Sequence, residues 1–131
     1  MESTFDNSEK ESFKYEYVEL ENGNIPFIKF LDSLSIIEKA EIIAAIDELL
    51  NWLNKNEIPP QNISKHLMNG IFELRVKHFN RITRSFYFYS IGKIIIFTHG
   101  FIKKTNKIDR KEIEKAIRYK NIYLKRIHNE N

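Results

Sequence analysis

Three strand-like runs decide the fold: HLMNGIFELRV (66–76), NRITRSFYFYS (80–90) and KIIIFTHGFIKKT (93–105). In the first run, Phe72, Leu74 and Val76 alternate with charged residues, which is the period of a strand with one buried face. Ile91 and Gly92 separate the last two runs and are short enough for a hairpin. We therefore predict a meander of three antiparallel strands.

The sequence before the meander predicts a strand and a helical hairpin. Residues 13–20 (FKYEYVEL) alternate aromatic and charged residues, as a half-buried strand does. Pro26 fits the first position of a short helix. A second helix is expected from Ser35 to Asn54, because Ser35 and Glu38 have the spacing of a capping box. The prolines at 59 and 60 end any helix here.

A last helix follows the meander. Asp109 and Glu112 repeat the capping-box spacing. The expected buried stripe of this helix consists of Ile113, Ala116, Ile117, Leu124 and Ile127. The fold class is therefore α+β: an N-terminal strand and a helical hairpin packed on a small, mainly antiparallel sheet, with a C-terminal helix.

The length and composition of the chain predict its domain organisation and its compartment. The 131 residues predict a single domain over 1–131, with residues 1–12 as an acidic, polar and flexible tail that lacks the pattern of a secretory signal. The absence of cysteine is typical of a reducing cytoplasm. No apolar run approaches the roughly 20 residues of a membrane helix. We expect a cytoplasmic protein without membrane contact.

The charge is divided unevenly along the chain. Residues 1–64 carry 5 Lys and 13 acidic residues, whereas residues 65–131 carry 16 Lys or Arg and 5 acidic residues. The two halves therefore have net charges of −8 and +11. This asymmetry predicts that the second half binds a polyanion.

Four cations lie close to the ends of the predicted strands, namely Arg75, Arg84, Lys103 and Lys104. The sequence offers them no obvious carboxylate partners, and an antiparallel meander brings them to one surface. Guanidinium groups bind phosphate oxygens in a bidentate manner, and ammonium groups add point charge. We therefore expect an anion at this surface.

Further residues of the second half of the chain are candidates for RNA binding. Tyr87, Tyr89 and Phe101 can stack on unpaired bases, each contact being worth about 1–3 kcal/mol, although packing on the sheet is the alternative for at least one of the tyrosines. The remaining candidates for RNA binding are cations: Lys77, Arg81, Lys107 and Arg110.

Other chemistry is poorly supported by the sequence. The histidines at 66, 78, 99 and 128 lack the spacing of metal ligands, and the four glycines form no phosphate-binding loop. The second half has few carboxylates, and two of them have helix-capping positions. We expect neither a metal nor a cofactor.

The order of these motifs resembles the RelE/ParE toxin superfamily, most closely its phage-derived HigB-like branch. The resemblance rests on Leu67 and Gly70 before Phe-Glu-Leu-Arg (72–75), on an Arg that begins an aromatic strand (84–88), and on HGFIKKT (99–105). It covers about residues 66–118. The chain departs from the branch where Ile108 and Asp109 replace a common proline, and where Arg110 replaces a tyrosine of some members.

The resemblance implies a toxin that cleaves mRNA in the A site of the 30S ribosomal subunit and is neutralised by a helix-turn-helix antitoxin. It implies that Arg75 and Arg84 contact the scissile phosphate and that Lys103 and Lys104 form the basic pair of the site. The 2′-hydroxyl attacks the adjacent phosphorus, which requires no metal. Either lysine, or His99, is a candidate for proton transfer.

Two other functions remain open at this point. ParE-type toxins resemble this fold but inhibit gyrase by binding, and they generally lack the full set of four cations. A nucleic-acid-binding module would hold RNA or DNA without cutting it and would show steep salt dependence.

Overall fold

The computed structural model of the chain describes residues 12–107 and 109–130. The predicted tail at 1–12, apart from Ser12, and Ile108 lie outside these ranges. The described elements are, in chain order, β1 (Lys14–Tyr17), α1 (Pro26–Asp32), α2 (Ile36–Asn54), β2 (Ser64–Met68), β3 (Ile71–His78), β4 (Arg81–Ser90), β5 (Ile94–Ile102) and α3 (Arg110–Glu130).

The strands form one five-stranded mixed sheet in the order β1-β5-β4-β3-β2. Strands β2 to β5 are antiparallel neighbours, whereas β1 pairs with β5 in parallel. The predicted α+β class is confirmed: a strand and a helical hairpin pack on a mainly antiparallel sheet that a C-terminal helix completes.

The predicted meander of three antiparallel strands is present as β3, β4 and β5, but the prediction missed β2, which precedes them and pairs with β3. Asn69 and Gly70 join β2 to β3 with φ of 53° and 76°. Two consecutive positive φ values are typical of the two-residue turns of hairpins, in which Asn-Gly is the preferred pair. The Asn-Gly pair therefore carried a hairpin signal, while the sequence of β2 itself, SKHLM, shows no clean alternation.

The two faces of the sheet are covered by different helices. One face packs on α1 and α2 through a core that includes Phe27, Ile46, Leu74 and Phe97. At this face Gly100 lies under the ring of Phe30, where a Cβ atom would come within 2.4 Å of the ring. We call it the hairpin face. The opposite face packs on α3, and we call it the α3 face; its core contains Ile71, Phe86, Phe88, Ile96, Ile113 and Ala116.

Both predicted helix caps are present. The backbone N–H of Glu38 donates to Ser35 Oγ over 3.2 Å, and that of Glu112 donates to Asp109 Oδ1 over 3.3 Å. The prediction that Leu124 is buried is wrong, since this side chain is 38% exposed. Tyr123 packs on Phe88 instead, with ring centroids 5.6 Å apart, because the buried face of α3 is turned towards its tyrosines.

A β-bulge in β5 changes which side chains face α3. Phe86 pairs with His99, but the next residue, Tyr87, pairs with Phe97, so Thr98 is an extra residue in the ladder. The Thr98 hydroxyl donates to the Phe86 carbonyl over 3.3 Å. An extra residue reverses the alternation of the residues that follow it. Phe101 consequently lies on the α3 face.

Candidate functional site

The sheet register brings the predicted cations together on the α3 face. Arg75 of β3 is paired with Arg84 of β4, and Arg84 is paired with Phe101 of β5. Residues directly opposite each other in neighbouring strands share a face of the sheet. The backbone N–H of Lys103 donates to the Ile82 carbonyl over 2.8 Å, which extends the pairing of β5 by one residue. Lys103 thereby lies beside Arg84.

Three adjoining pockets surround these residues, with volumes of about 260, 410 and 250 Å³. Lys103 lines all three pockets, Arg84 the first two, and Arg75 the first and the third. Lys104 lines the second and third pockets. We refer to the three pockets together as the basic cleft. It lies at the open end of the α3 face, where the loop before α3 leaves the sheet.

Arg84 forms a buried ion pair, which corrects the expectation that it lacks a carboxylate partner. Its Nε donates to Glu73 Oε1, and the two side chains are only 9% and 2% exposed. The alternation of β3 correctly placed Glu73 and Arg75 on the same face. That face is not solvent, however, because α3 covers it at Glu73. A charge can be buried there only when it is paired.

Two aromatic rings also lie close to the Arg84 guanidinium. Its Cζ atom lies 5.4 Å from the centre of the Phe86 ring and 5.8 Å from that of Phe101. Cations are attracted to ring faces at such distances. The guanidinium is therefore fixed by one carboxylate and two rings.

Three other cations of the cleft form no ion pair with the residues that the structure describes. Among residues 12–107 and 109–130, no ion pair involves Arg75, Lys103 or Lys104. Arg75 and Lys103 are half-buried, and Lys104 is exposed. Asp109 and Glu112 also line the cleft, but the first caps α3 and the second bonds to His99. The basic cleft therefore offers unpaired positive charge to an anion.

His99 does not lie on the wall of the basic cleft. It is 4% exposed, its Nε2 is 2.8 Å from Glu112 Oε1, and its ring stacks on Phe101 with centroids 5.8 Å apart. Burial lowers the pKa of His99 below its ordinary value of 6.5, while the neighbouring Glu112 carboxylate acts in the opposite direction. The pair joins the end of β5 to the first turn of α3. In the structure, His99 is therefore a buried residue that contacts Glu112 and Phe101 and does not line the cleft.

Tyr87 is not available to stack on a base, so this prediction is wrong. Its ring is 1% exposed on the hairpin face, where it stacks on Phe72 with centroids 5.5 Å apart. Its hydroxyl lies 2.6 Å from Ser64 Oγ, and burial raises its pKa. Tyr87 follows Arg84 by three residues in one strand, and odd spacings place side chains on opposite faces. Tyr89 lies on the hairpin face too, with 39% of the residue exposed.

The remaining predicted RNA-binding residues divide into two groups. Phe101 and Lys107 line the basic cleft. Arg81, Lys77 and Arg110 do not line it. Arg81 is engaged on the hairpin face, where it donates to both oxygens of Glu38 over 3.0 and 2.5 Å. Arg81 is therefore paired with Glu38 and lies on the opposite face of the sheet from Arg84, which argues against its predicted role in RNA binding.

The sequence interpretation missed several residues of the cleft, among them two charged residues and an amide. Glu73, Lys65 and Asn106 line its first pocket beside Arg75 and Arg84. Lys65 faces the cleft because it is paired with Glu73, and this contact depends on the unpredicted strand β2. The alternation of β3 predicted which face of the sheet carries Glu73, but it did not predict that Glu73 is buried.

Two other pockets are larger than parts of the basic cleft, but they are less basic. One, of about 440 Å³, lies between Glu21 and the second half of α3 and includes Lys125 and Arg126. The other, of about 420 Å³, lies beside β2 on the hairpin face, and Lys65 is the lysine in its wall. Pocket volume alone does not identify an anion site. Because more cations line the basic cleft, it is the better candidate for binding an anion.

Two further observations concern the described ranges, 12–107 and 109–130. In them, no three His, Asp or Glu side chains are grouped closely enough to hold a metal ion. No helix in these ranges has the length and apolarity needed to cross a membrane.

The fold is that of a small α+β protein and is consistent with a RelE-like architecture. Its basic cleft gathers cations that suit a polyanion. The chain belongs to the family described as phage-derived protein Gp49-like (DUF891), which matches residues 29–121. This family is toxin-like and implies an antitoxin partner. The match includes the whole basic cleft, from Lys65 to Ile113. No curated protein matches the chain.

Proposed function

We propose that this protein is the toxin of a type II toxin–antitoxin system, of the HigB-like branch, and that it cleaves mRNA on the ribosome. The observation that carries the proposal is the convergence of Arg75, Arg84 and Lys103 at one cleft, with Lys104 and Lys107 at its rim. The substrate is mRNA in the 30S A site, the compartment is the cytoplasm, and the partner is a helix-turn-helix antitoxin.

The proposed reaction uses the 2′-hydroxyl of the substrate as nucleophile. The 2′-oxygen attacks the adjacent phosphorus and loses its proton, while the bond from phosphorus to the 5′-oxygen breaks and that oxygen gains a proton. The products are a 2′,3′-cyclic phosphate and a 5′-hydroxyl, and no water is consumed. This reaction needs chiefly the stabilisation of negative charge on the phosphate oxygens, which fixed donors supply effectively.

The cations of the cleft have different roles in this proposal. Arg84, fixed by its carboxylate and its two rings, binds a non-bridging phosphate oxygen through its terminal nitrogens. Arg75 is its direct cross-strand neighbour and binds the same phosphate. Lys103 and Lys104 add positive charge, and their amines are candidates for proton transfer on the cleft wall. His99 is too buried to contact the substrate in this arrangement.

Cleavage of mRNA on purified ribosomes tests the proposal. Arg75→Ala and Arg84→Lys are the informative variants; the lysine keeps a positive charge against Glu73 but loses the planar, bidentate group. We expect each to reduce the cleavage rate by about 100-fold, the usual loss for one fixed donor. Lys29→Ala, an exposed lysine of α1 on the hairpin side, is the matched control and should cleave normally.

The outcomes separate the proposal from its competitors. Growth arrest without RNA cleavage, together with inhibition of purified gyrase, would indicate a ParE-type toxin. RNA binding without strand breaks, with a steep dependence on salt, would indicate a binding module. A gene for a small helix-turn-helix protein beside this gene, whose product relieves growth arrest, would support the predicted partner.

A further inference from the structure

Glu73 is a buried carboxylate in the wall of a cleft that offers positive charge. Its side chain is 2% exposed and lines the first pocket together with Arg75, Arg84 and Lys103. A negative charge at this place weakens the attraction for a phosphate. A buried ion pair is also weak as a source of stability, since apolar residues of similar volume are often as good or better. Neither anion binding nor stability alone accounts for Glu73.

The atoms that form the pair suggest another role. Glu73 accepts a hydrogen bond from Nε of Arg84, which is the inner nitrogen of the guanidinium. A guanidinium has five N–H donors, four of which belong to the two terminal nitrogens. Within the described residues, no hydrogen bond involves those terminal nitrogens of Arg84. The pair therefore occupies one edge of the group and leaves four donors available.

The ion pair on the opposite face of the sheet is built differently. Arg81 donates to Glu38 through Nε and through one terminal nitrogen, so both carboxylate oxygens are engaged. That arrangement uses the fork of the arginine for the partner carboxylate. The Glu73–Arg84 contact uses Nε alone, so within the described residues both terminal nitrogens of Arg84 are without a hydrogen bond, at a cleft that this residue lines in two pockets.

We propose that Glu73 is a positioning residue that holds Arg84 by Nε, so that the terminal nitrogens are presented to the scissile phosphate. The Phe86 and Phe101 rings restrict the same group from other sides. Fixing the donors before the substrate binds removes the cost of ordering a long side chain during the reaction. This inference rests on the proposed function, because it assigns a phosphate to the terminal nitrogens.

Steady-state cleavage by three variants tests the inference. Glu73→Ala removes the acceptor, and Glu73→Gln keeps an oxygen that accepts from Nε without the charge. We expect Glu73→Ala to lower kcat by about 10- to 100-fold, as removal of orienting partners does at metal sites, with KM changed by less than about 3-fold. Glu73→Gln should retain most of the activity. Glu38→Ala, which breaks the other ion pair, should cleave like the wild type.

A binding measurement makes the inference independent of cleavage. The Nε–H group of Arg84 can be followed by ¹⁵N NMR while inorganic phosphate is titrated into the folded protein. We expect the Arg84 resonance to respond to phosphate in the wild type, and the affinity for phosphate to fall at least about 10-fold in Glu73→Ala. Thermal unfolding of each variant ensures that only folded protein is compared.

Several results would overturn the inference. One is a wild-type kcat in Glu73→Ala, and another is a loss of kcat in Glu38→Ala as large as that in Glu73→Ala. A third is the loss of one limb of the pH–rate profile in Glu73→Gln, which would make Glu73 a proton-transfer group. If the wild type cleaves no RNA but phosphate affinity still falls in Glu73→Ala, the proposed function fails while the positioning role stands. If RNA is cleaved and phosphate affinity is unchanged, the positioning role fails alone.

Discussion

Replacing Arg84 by Met should destabilise the protein strongly, and replacing its partner as well should restore stability. The single change leaves the Glu73 carboxylate buried at 2% exposure without its partner. Breaking one side of a buried ion pair costs about 3–5 kcal/mol, whereas replacing both sides with apolar groups is often neutral or stabilising. We therefore expect Arg84→Met to unfold at a much lower temperature than the Glu73→Leu/Arg84→Met double variant.

The expected shift in Tm follows from the size of the chain. Unfolding entropy is about 2.1 cal/mol/K per residue, or about 0.28 kcal/mol/K for 131 residues. A loss of about 3–5 kcal/mol then lowers Tm by about 11–18 °C. The double variant should lie within about 4 °C of the wild type, which corresponds to about 1 kcal/mol.

Differential scanning calorimetry or circular dichroism on the three proteins measures this shift. Both variants lack Arg84, so neither should cleave RNA, and the double variant then separates loss of function from loss of folding. A single variant whose Tm falls by less than about 3 °C would show that the pair is not buried in solution. A double variant less stable than the single one would refute the argument from the unpaired carboxylate.

Three further predictions concern the cleft, the sheet and His99. Replacing both Lys103 and Lys104 by Ala should reduce the slope of log K against log salt for single-stranded RNA by about 0.7 for each phosphate that the protein no longer neutralises, as measured by fluorescence anisotropy; an unchanged slope would place the RNA elsewhere. Gly100→Ala puts a Cβ within 2.4 Å of the Phe30 ring and should cost about 1–3 kcal/mol in urea unfolding, part of which Phe30→Leu should restore. Burial lowers the pKa of His99 below 6.5, so protonation favours the unfolded chain: the stability that the neutral imidazole contributes is complete above pH 6.5 and declines as the pH falls below it. His99→Gln should flatten the dependence of the urea midpoint on pH in this range, and a wild-type midpoint that rises on acidification would contradict the assignment.

Much of the fold was readable because alternation and capping spacings are local. The caps at Ser35 and Asp109 and the side of the sheet taken by Arg75 follow from residues close together in the chain. Strand β2 was missed because SKHLM has no clear period, although the Asn69-Gly70 turn after it was a usable signal.

The details of the site depended on contacts between distant residues. In a regular strand, residues an odd number of positions apart lie on opposite faces of the sheet. Arg81 and Tyr87 are each three residues from Arg84, so the placement of both on the hairpin face, opposite Arg84, was predictable. The burial of Glu73 was not, because it requires α3 to cover a face that the local pattern assigns to solvent. The side taken by Phe101 depends on the extra residue at Thr98, which the alternation of β5 does not reveal.

The bulge at Thr98 also constrains how this protein can change in length. Deleting Thr98 would restore a regular ladder and keep the strand, yet it would turn Phe101 and Lys103 away from α3 and towards α1. Such a chain could retain its sheet while losing its cleft. Among homologues, therefore, a gap of one residue at the position of Thr98 is expected to mark members that keep the fold but lose the basic cleft, whereas gaps in the turns should be harmless.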